Sequence, residues 1–316
     1  MIGISLNHSQ RNNKASRYVL VTAAKNEEAY IERTLQSIVA QSVLPQKWVI
    51  VSDGSTDNTD EIVRRWAGKY DFIELLRKEP ELTRNFGAKA RAVRLGVERL
   101  CGTEYSFLGN LDADVTVEPD YYEKAMAKFE EDPHLGIAGG LRFDNCRGTY
   151  RKVLASPNSA GGPTQFFRRE CYEQIGGYLS VRLGGVDYVA EIMARMHGWK
   201  VRTFPDLKLW HHRRTGTENR TIFAARFHEG ISAYIHGCHP LFELSRCIYR
   251  VFDRPYLLGS VFRLGGYCWA VLCRKERDLP EEVVRYLRRE QIDRLWSVAR
   301  KLKKSKRVCV NISSNS

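Results

Sequence analysis

The sequence predicts an α/β fold built on a mostly parallel sheet, followed by a helical and basic C-terminal region. Three observations carry that expectation. Apolar runs of strand length alternate with stretches of helical periodicity through the first two thirds of the chain. Polar turns rich in Asp, Glu, Asn and Gly follow the ends of the apolar runs. From residue 216 onward the strand pattern stops and helical periodicity takes over.

The elements follow in order. "YVLVTA" at 18–23 reads as a buried strand, and "NEEAYIERTLQSIVAQS" continues with Ile31, Leu35, Ile38 and Val39 at helical spacing. "KWVIVSDGSTDNT" is a strand entering a turn, with Asp57 in the N-cap region of the helix "TDEIVRRWAGKY". "FIELLRK" is a short strand, "LTRNFGAKARAVRLGVERL" a helix and "YSFLGNLDADV" a strand again. "PDYYEKAMAKFEEDP" is helical, "LGIAGGLRF" extended, and "SAGGPTQFFRRECYEQIGGY" a Gly-rich stretch. A helix, "VDYVAEIMARMHGW", and a strand, "KVRTFPDLKLWHHRRTG", close the α/β part. In sheets of this kind ligands bind beyond the carboxyl ends of the strands. The turns "TAAKNEE", "SDGSTD" and "LDADV" all fall at such ends and would line one crevice.

The composition, 43% hydrophobic and 28% charged, is that of a chain able to bury a core. The eight cysteines form no C-x-x-C, so neither a zinc site nor a redox dithiol is signalled, and reduced thiols inside a cell are the simpler expectation. The N-terminal residues lack an apolar core of signal-peptide length. The net charge of +13 is uneven: residues 216–316 hold 19 Lys/Arg against 10 Asp/Glu. Such a balance points to an anionic partner, a lipid surface or a nucleic acid. No nucleic-acid-binding motif accompanies it, and nucleic acid would leave the aspartate pair described next without a purpose.

"GNLDADV" places Asp112 and Asp114 one residue apart at a strand end. On extended backbone such side chains face the same way, and the two anions need a cation to relieve their repulsion. A calcium loop is excluded, because its sixth position would be Val117 where glycine is required and the context is strand-to-helix. A divalent ion held by one or two carboxylates and completed by the phosphates of a nucleotide fits better.

The order and spacing of "TAAKNEEAYIERTLQSIVAQS", "VIVSDGSTDNT", "NFGAKARAVRLG" and "LDAD" resemble family 2 glycosyltransferases across residues 18–215. The resemblance implies the GT-A fold, a Rossmann-like and mostly parallel central sheet. It implies transfer of a sugar from a nucleotide-diphosphate donor, a UDP-sugar, to an acceptor hydroxyl with inversion, and a divalent cofactor, Mn2+ or Mg2+. Carried over residue by residue, Thr22 and Glu27 contact the nucleoside, Asp53 the base, and Lys89 the base or diphosphate. Asp112 lies near ribose and metal, Asp114 ligates the metal, and His211 in "WHHRRTG" is a further metal or diphosphate ligand.

Inversion needs a base that takes the proton of the acceptor hydroxyl. Measured back from Gly198, Asp187 stands where the family carries that aspartate, and Glu191 is the runner-up. Two departures stand out: Val186 replaces the family's preceding Glu, and Arg94 replaces an Asn of its Gly/Ala helix. The Val186 departure keeps open an alternative, a non-catalytic nucleotide-sugar-binding assembly protein. The Gln-x-x-Arg-Trp signature of processive relatives is absent in the expected context.

The apolar stretch 255–273 contains Arg263 and three glycines and is flanked by Arg246, Arg250, Arg254, Arg274, Lys275 and Arg277. It is a poor spanning helix and a better interfacial one, with a buried helical hairpin as the alternative. Its layout resembles the membrane-associated tails of bacterial polysaccharide-assembly transferases. The resemblance thus implies a lipid-linked saccharide acceptor, an anionic membrane surface as partner, and a cytoplasmic, peripheral location on the inner face of the cell membrane. The expected organisation is a tail (1–17), a nucleotide-sugar-binding half (18–115), an acceptor-binding and catalytic half of the same domain (116–215) and a basic helical region (216–316).

Overall fold

A computed structural model describes residues 17–79, 87–146, 148–153, 156–213, 221–252 and 255–313, the stretch 301–313 by its backbone alone. The chain forms two compact units, 1–215 and 216–316.

The first unit contains β1 (Tyr18–Ala24), α1 (Ile31–Val39), β2 (Lys47–Asp53), α2 (Thr59–Ala67), β3 (Ile73–Lys78), α3 (Gly87–Arg99), β4 (Phe107–Leu111), β5 (Val115–Val117), α4 (Tyr121–Glu131), β6 (Leu135–Cys146), β7 (Thr149–Lys152), β8 (Thr164–Arg168), α5 (Arg169–Gln174), α6 (Val186–Met196) and β9 (Lys200–His211). Among the described residues these strands make one sheet in the order β3-β2-β1-β4-β8-β6-β9-β5, with β7 paired to β6. β1 to β4 run parallel, as the βαβ alternation requires. β8 is antiparallel to β4 and β6, β6 and β9 are parallel, and β5 is antiparallel to β9.

Helices cover the central strands, so Tyr18, Val19, Leu20 and Val21 of β1 are all buried rather than alternating. On α1 the periodic Ile31, Leu35 and Ile38 are the residues that reach this core. Tyr18, Tyr122, Phe107, Phe129 and Phe166 form an aromatic cluster joining β1, β4, β8 and α4.

Some local expectations shift. The Gly-rich stretch, to which no element is assigned from the sequence, contains a strand, β8, and a short helix, α5. The strand expected through Val115 ends at Leu111, and the chain turns at the aspartate pair before β5. The residue capping α2 is Asn58, while Asp57 Oδ1 accepts from the backbone N–H (3.0 Å) and hydroxyl (2.6 Å) of Thr59. Residues 82–86 of the third expected helix lie outside the described residues.

The second unit contains α7 (Ile222–Ile235), α8 (Pro240–Tyr249), α9 (Leu257–Leu272) and α10 (Glu281–Ser313). α7 and α9 touch backbone to backbone: a Cβ on Gly230 would strike the Arg263 carbonyl oxygen, and one on Gly266 the Phe227 carbonyl oxygen. Among the described residues no helix is long and apolar enough to cross a membrane.

Candidate active site

Three loops that follow parallel strands build the crevice. After β1, Asn26 adopts a left-handed conformation (φ 55°), which its short amide tolerates better than most side chains. Its Oδ1 accepts from the Thr56 backbone N–H (2.8 Å), and its own N–H donates to Ser55 Oγ (3.2 Å). The Glu27 N–H donates to Thr59 Oγ1 (2.7 Å). The first and second loops are thereby locked together, and Glu27 is aimed toward the third.

That third loop carries the aspartate pair. Thr34 of α1 donates its hydroxyl to the Ala113 carbonyl (2.7 Å), fixing the turn between Asp112 and Asp114. The Asp112 N–H donates to the Pro163 carbonyl (2.9 Å), tying the turn to the 159–163 loop. Lys89, in the first turn of α3, places Nζ 2.5 Å from Asp112 Oδ1. Burial works against the Lys89 ammonium, but Asp112, with Asp187 and Asp114 behind it, holds its pKa above the usual lysine value.

Asp114 is nearly buried and faces an imidazole and a guanidinium. His211 Nε2 lies 3.5 Å from Asp114 Oδ1, and Arg213 Nε lies 3.6 Å from Oδ2. Arg213 also contacts Glu27 Oε2 at 2.5 Å and sits over the Tyr30 ring, 5.2 Å from its centroid. Burial and the neighbouring Asp112 raise the Asp114 pKa, with His211 and Arg213 opposing. Burial, then Asp114, push Glu27 up to about 7 against the pull of Arg213, and Asp112 and Asp57 add to the push. Burial, with the mutual repulsion of the carboxylates behind it, thus raises both groups despite Arg213.

Sheet register explains how His211 arrives there. In β9 it pairs with Val115 of β5 on one side and with Asp144 of β6 on the other. Its Nδ1 lies 3.6 Å from Asp144 Oδ1, so the imidazole stands between two carboxylates. Asp144 and Arg213 were not singled out in the sequence. Asp144 has no local signal, since only strand pairing brings it to the site; the arginines beside His211 were visible, without a sign of which one turns inward.

The expected base and its runner-up separate clearly. Gly184 and Gly185 (φ 80° and 86°) turn the chain into α6, whose first turn carries Asp187. The Asp187 carboxyl packs against Gly162, where a Cβ would collide with it. Its charge is felt at Lys89. Glu191, one turn on, is buried and occupied: it accepts from Ser159 Oγ (2.9 and 3.0 Å) and from the Ala160 N–H (2.8 Å). Glu191 therefore clamps the 159–163 loop.

Of the expected donor contacts, Asp53 ends β2 with ion pairs to Lys78 (3.2 Å) and Lys25 (3.5 Å). The side chain of Thr22, another expected donor contact, faces the sheet. It has no exposed surface, and its hydroxyl accepts from the Trp48 indole N–H at 2.9 Å, so its side chain supports the sheet behind the crevice.

A model of glycosyl transferase family 2 matches residues 19–180. The chain belongs to that family. This family 2 glycosyltransferase is 25% identical over 207 residues to the poly-beta-1,6-N-acetyl-D-glucosamine synthase of Staphylococcus aureus, a match covering 60% of the chain and 48% of the relative. It is 31% identical over 124 residues to the synthase of that name from Staphylococcus epidermidis, covering 39% and 28%. The chain thus spans about half the length, or less, of these curated relatives. Among solved structures, the mannosyltransferase PcManGT from Pyrobaculum calidifontis, in complex with GDP-Man and Mn2+, has a TM-score of 0.57 at 18% identity, covering 82% of this chain and 88% of that one. S. aureus TarS in complex with UDP-GlcNAc has a TM-score of 0.52 at 16% identity, covering 69% and 66%. At such identities the likeness is one of fold.

Proposed function

We propose that the chain transfers a sugar, with inversion, from a UDP-sugar to an acceptor hydroxyl on a lipid-linked saccharide, at the inner face of a membrane. The observation that carries this proposal is the meeting of Glu27, Asp112, Asp114 and His211 at one sheet end, with Lys89 bridging from Asp112 toward Asp187.

The crevice suits a divalent cation, Mn2+ or Mg2+. Among the described residues no three acidic, His or Cys side chains close on a common point, so the protein alone would supply only part of such an ion's ligands. Burial first, and neighbouring carboxylates second, raise the Asp114 and Glu27 carboxyls, and a cation between them would relieve the second of these causes. Asp114, with Asp112 and His211, would hold the ion, which neutralises charge developing on the leaving diphosphate.

The chain's own groups do the rest. Asp53, at the end of β2, receives the base, and Glu27 lies beside the nucleoside. Lys89 offers its ammonium to the diphosphate when Asp112 turns to the ribose. Asp187, on a helix start fixed by two left-handed glycines, takes the proton of the acceptor hydroxyl as that oxygen attacks the anomeric carbon. Val186 in place of an acidic neighbour leaves one carboxylate to serve there.

Release of UDP from UDP-sugars, measured with lipid-linked saccharide acceptors and with Mn2+ or a chelator, tests the proposal. Turnover is expected with metal, and Asp114→Asn, retaining the fold, is expected to lower it at least about a hundredfold. Full activity in chelator would remove the metal from the mechanism. Donor binding without turnover on any acceptor would instead support a non-catalytic, nucleotide-sugar-binding role.

A further inference from the structure

We infer that the second unit docks on an anionic lipid surface through the outward faces of α8 and α9. The inference deepens the membrane location proposed above by naming the surface that makes the contact. It rests on an inverted distribution of charge in these two helices.

Every exposed residue of α9 is uncharged, Leu257, Leu258, Val261, Trp269 and Leu272 among them, and Leu272 keeps 81% of its surface. The exposed residues of α8 are uncharged too, including Leu241, Leu244 and Ile248. The charged residues of the two helices point the other way. Glu243 is completely buried, and Arg263 is buried with Nε 2.5 Å from Glu243 Oε1 and Nη1 2.5 Å from Glu229 Oε2. Arg246 turns in to the same carboxylate at 3.4 Å. A helix facing water normally puts its charges outward and its apolar stripe inward. Here the order is reversed over two neighbouring helices, which marks a surface meant to be covered by something apolar.

The rim identifies the cover. Arg274, Lys275 and Arg277 follow α9, all exposed, against Glu276 alone in that run. Lys275 Nζ lies 5.1 Å from the centre of the Trp269 ring. An aromatic residue beside cations at the edge of an apolar face matches the headgroup level of a bilayer. A second copy of the chain would bring like-charged rims toward each other, which disfavours that occupant.

The contact is a shallow one. α9 has 16 residues, about 24 Å at 1.5 Å per residue, short of a bilayer's hydrocarbon core of about 30 Å. Arg263, which looks like an obstacle to membrane contact in the sequence, lies on the protein side, tied to Glu229 and Glu243.

Co-sedimentation of the full chain with phosphatidylcholine vesicles, with and without phosphatidylglycerol, tests the inference and needs no turnover. Binding is expected to anionic vesicles and to weaken in high salt. Leu258→Glu with Val261→Glu, both on the exposed face, should lower it at least about tenfold with an unchanged circular dichroism spectrum. Arg274→Gln, Lys275→Gln and Arg277→Gln should each lower anionic-vesicle binding by about fivefold. Should the double glutamate variant lose structure, quenching of wild-type tryptophan fluorescence by brominated lipid, diminished in Trp269→Phe, reads the same contact. No vesicle binding at any composition, or equal binding by the stripe variants, would overturn the inference. So would a wild-type dimer that the stripe variants dissolve, since it assigns the face to a second copy. Vesicle binding without donor turnover would leave this inference standing and remove the transfer proposal; turnover without vesicle binding would do the opposite.

Discussion

Replacing Glu191 by Gln separates a loop clamp from a catalytic base and gives a stability signature that follows from burial. Glu191 is pushed from an ordinary 4.5 up to about 7, first by burial, against the hydrogen bonds of Ala160 and Ser159 and the charge of Arg195. The folded chain therefore binds this proton more tightly than the unfolded chain does. The stability contributed by the protonated carboxyl is complete below about pH 4.5 and is lost as pH rises through about 7. A displacement of roughly 2.5 units at 1.36 kcal/mol per unit makes the full swing about 3 kcal/mol. A glutamine side chain at this position would mimic the protonated form: its carbonyl accepts from the Ala160 N–H and its amide donates to Ser159 Oγ. Urea unfolding of both proteins between pH 5 and pH 8.5 measures the swing. Glu27 titrates in the same range and is present in both, so the difference between the curves isolates Glu191. Glu191→Gln is expected to match wild type near pH 5 and to exceed it by about 2–3 kcal/mol at pH 8.5, with UDP release kept within a few-fold. Parallel curves would refute the burial account. A variant less stable at every pH would show that the ionised carboxylate, paired with Arg195 at 3.5 Å, holds the loop better than a neutral group.

Two further substitutions probe the site. Asp187→Asn should leave donor binding intact and lower transfer by about two to four orders of magnitude; near-normal transfer would remove Asp187 as the base. Thr22→Val should leave the Trp48 indole N–H without its acceptor and cost about 1–3 kcal/mol in chemical unfolding while the KM for donor stays unchanged; a raised KM at unchanged stability would restore Thr22 as a donor contact.

The elements most legible in the sequence are those whose apolar period is local. Ile31, Leu35 and Ile38 announce α1, and "YVLVTA" and "KWVIVSD" announce buried parallel strands. β8 is hidden because "TQFFR" is five residues long and sits among glycines; it exists through antiparallel pairing with β4 and β6, which no local pattern encodes. β7 is hidden differently, because its residues are exposed and carry no apolar alternation. At the site, Glu27, Asp112 and Asp114 were legible because each follows a strand end. Thr22 lies only a few residues before such an end, and its side chain turns into the sheet toward Trp48. Asp144 lies on a strand that reads as ordinary, and it reaches His211 only through the register of β6 with β9.

The balance of charge in the crevice bears on the order in which ligands arrive. Glu27, Asp112 and Asp114 lie within a few ångströms of Arg213, Lys89 and His211, and burial, then mutual repulsion, raises the carboxyls of Glu27 and Asp114. A bare nucleoside diphosphate would bring further negative charge beside three acidic side chains, whereas a diphosphate carrying a divalent cation would bring little net charge. Entry of the paired species costs less, because Coulomb repulsion grows as water leaves the crevice. Arg213 then has two roles at once. It bridges Glu27 and Asp114, and it stands where a cation bound by Asp114 would compete with it for the same carboxylate.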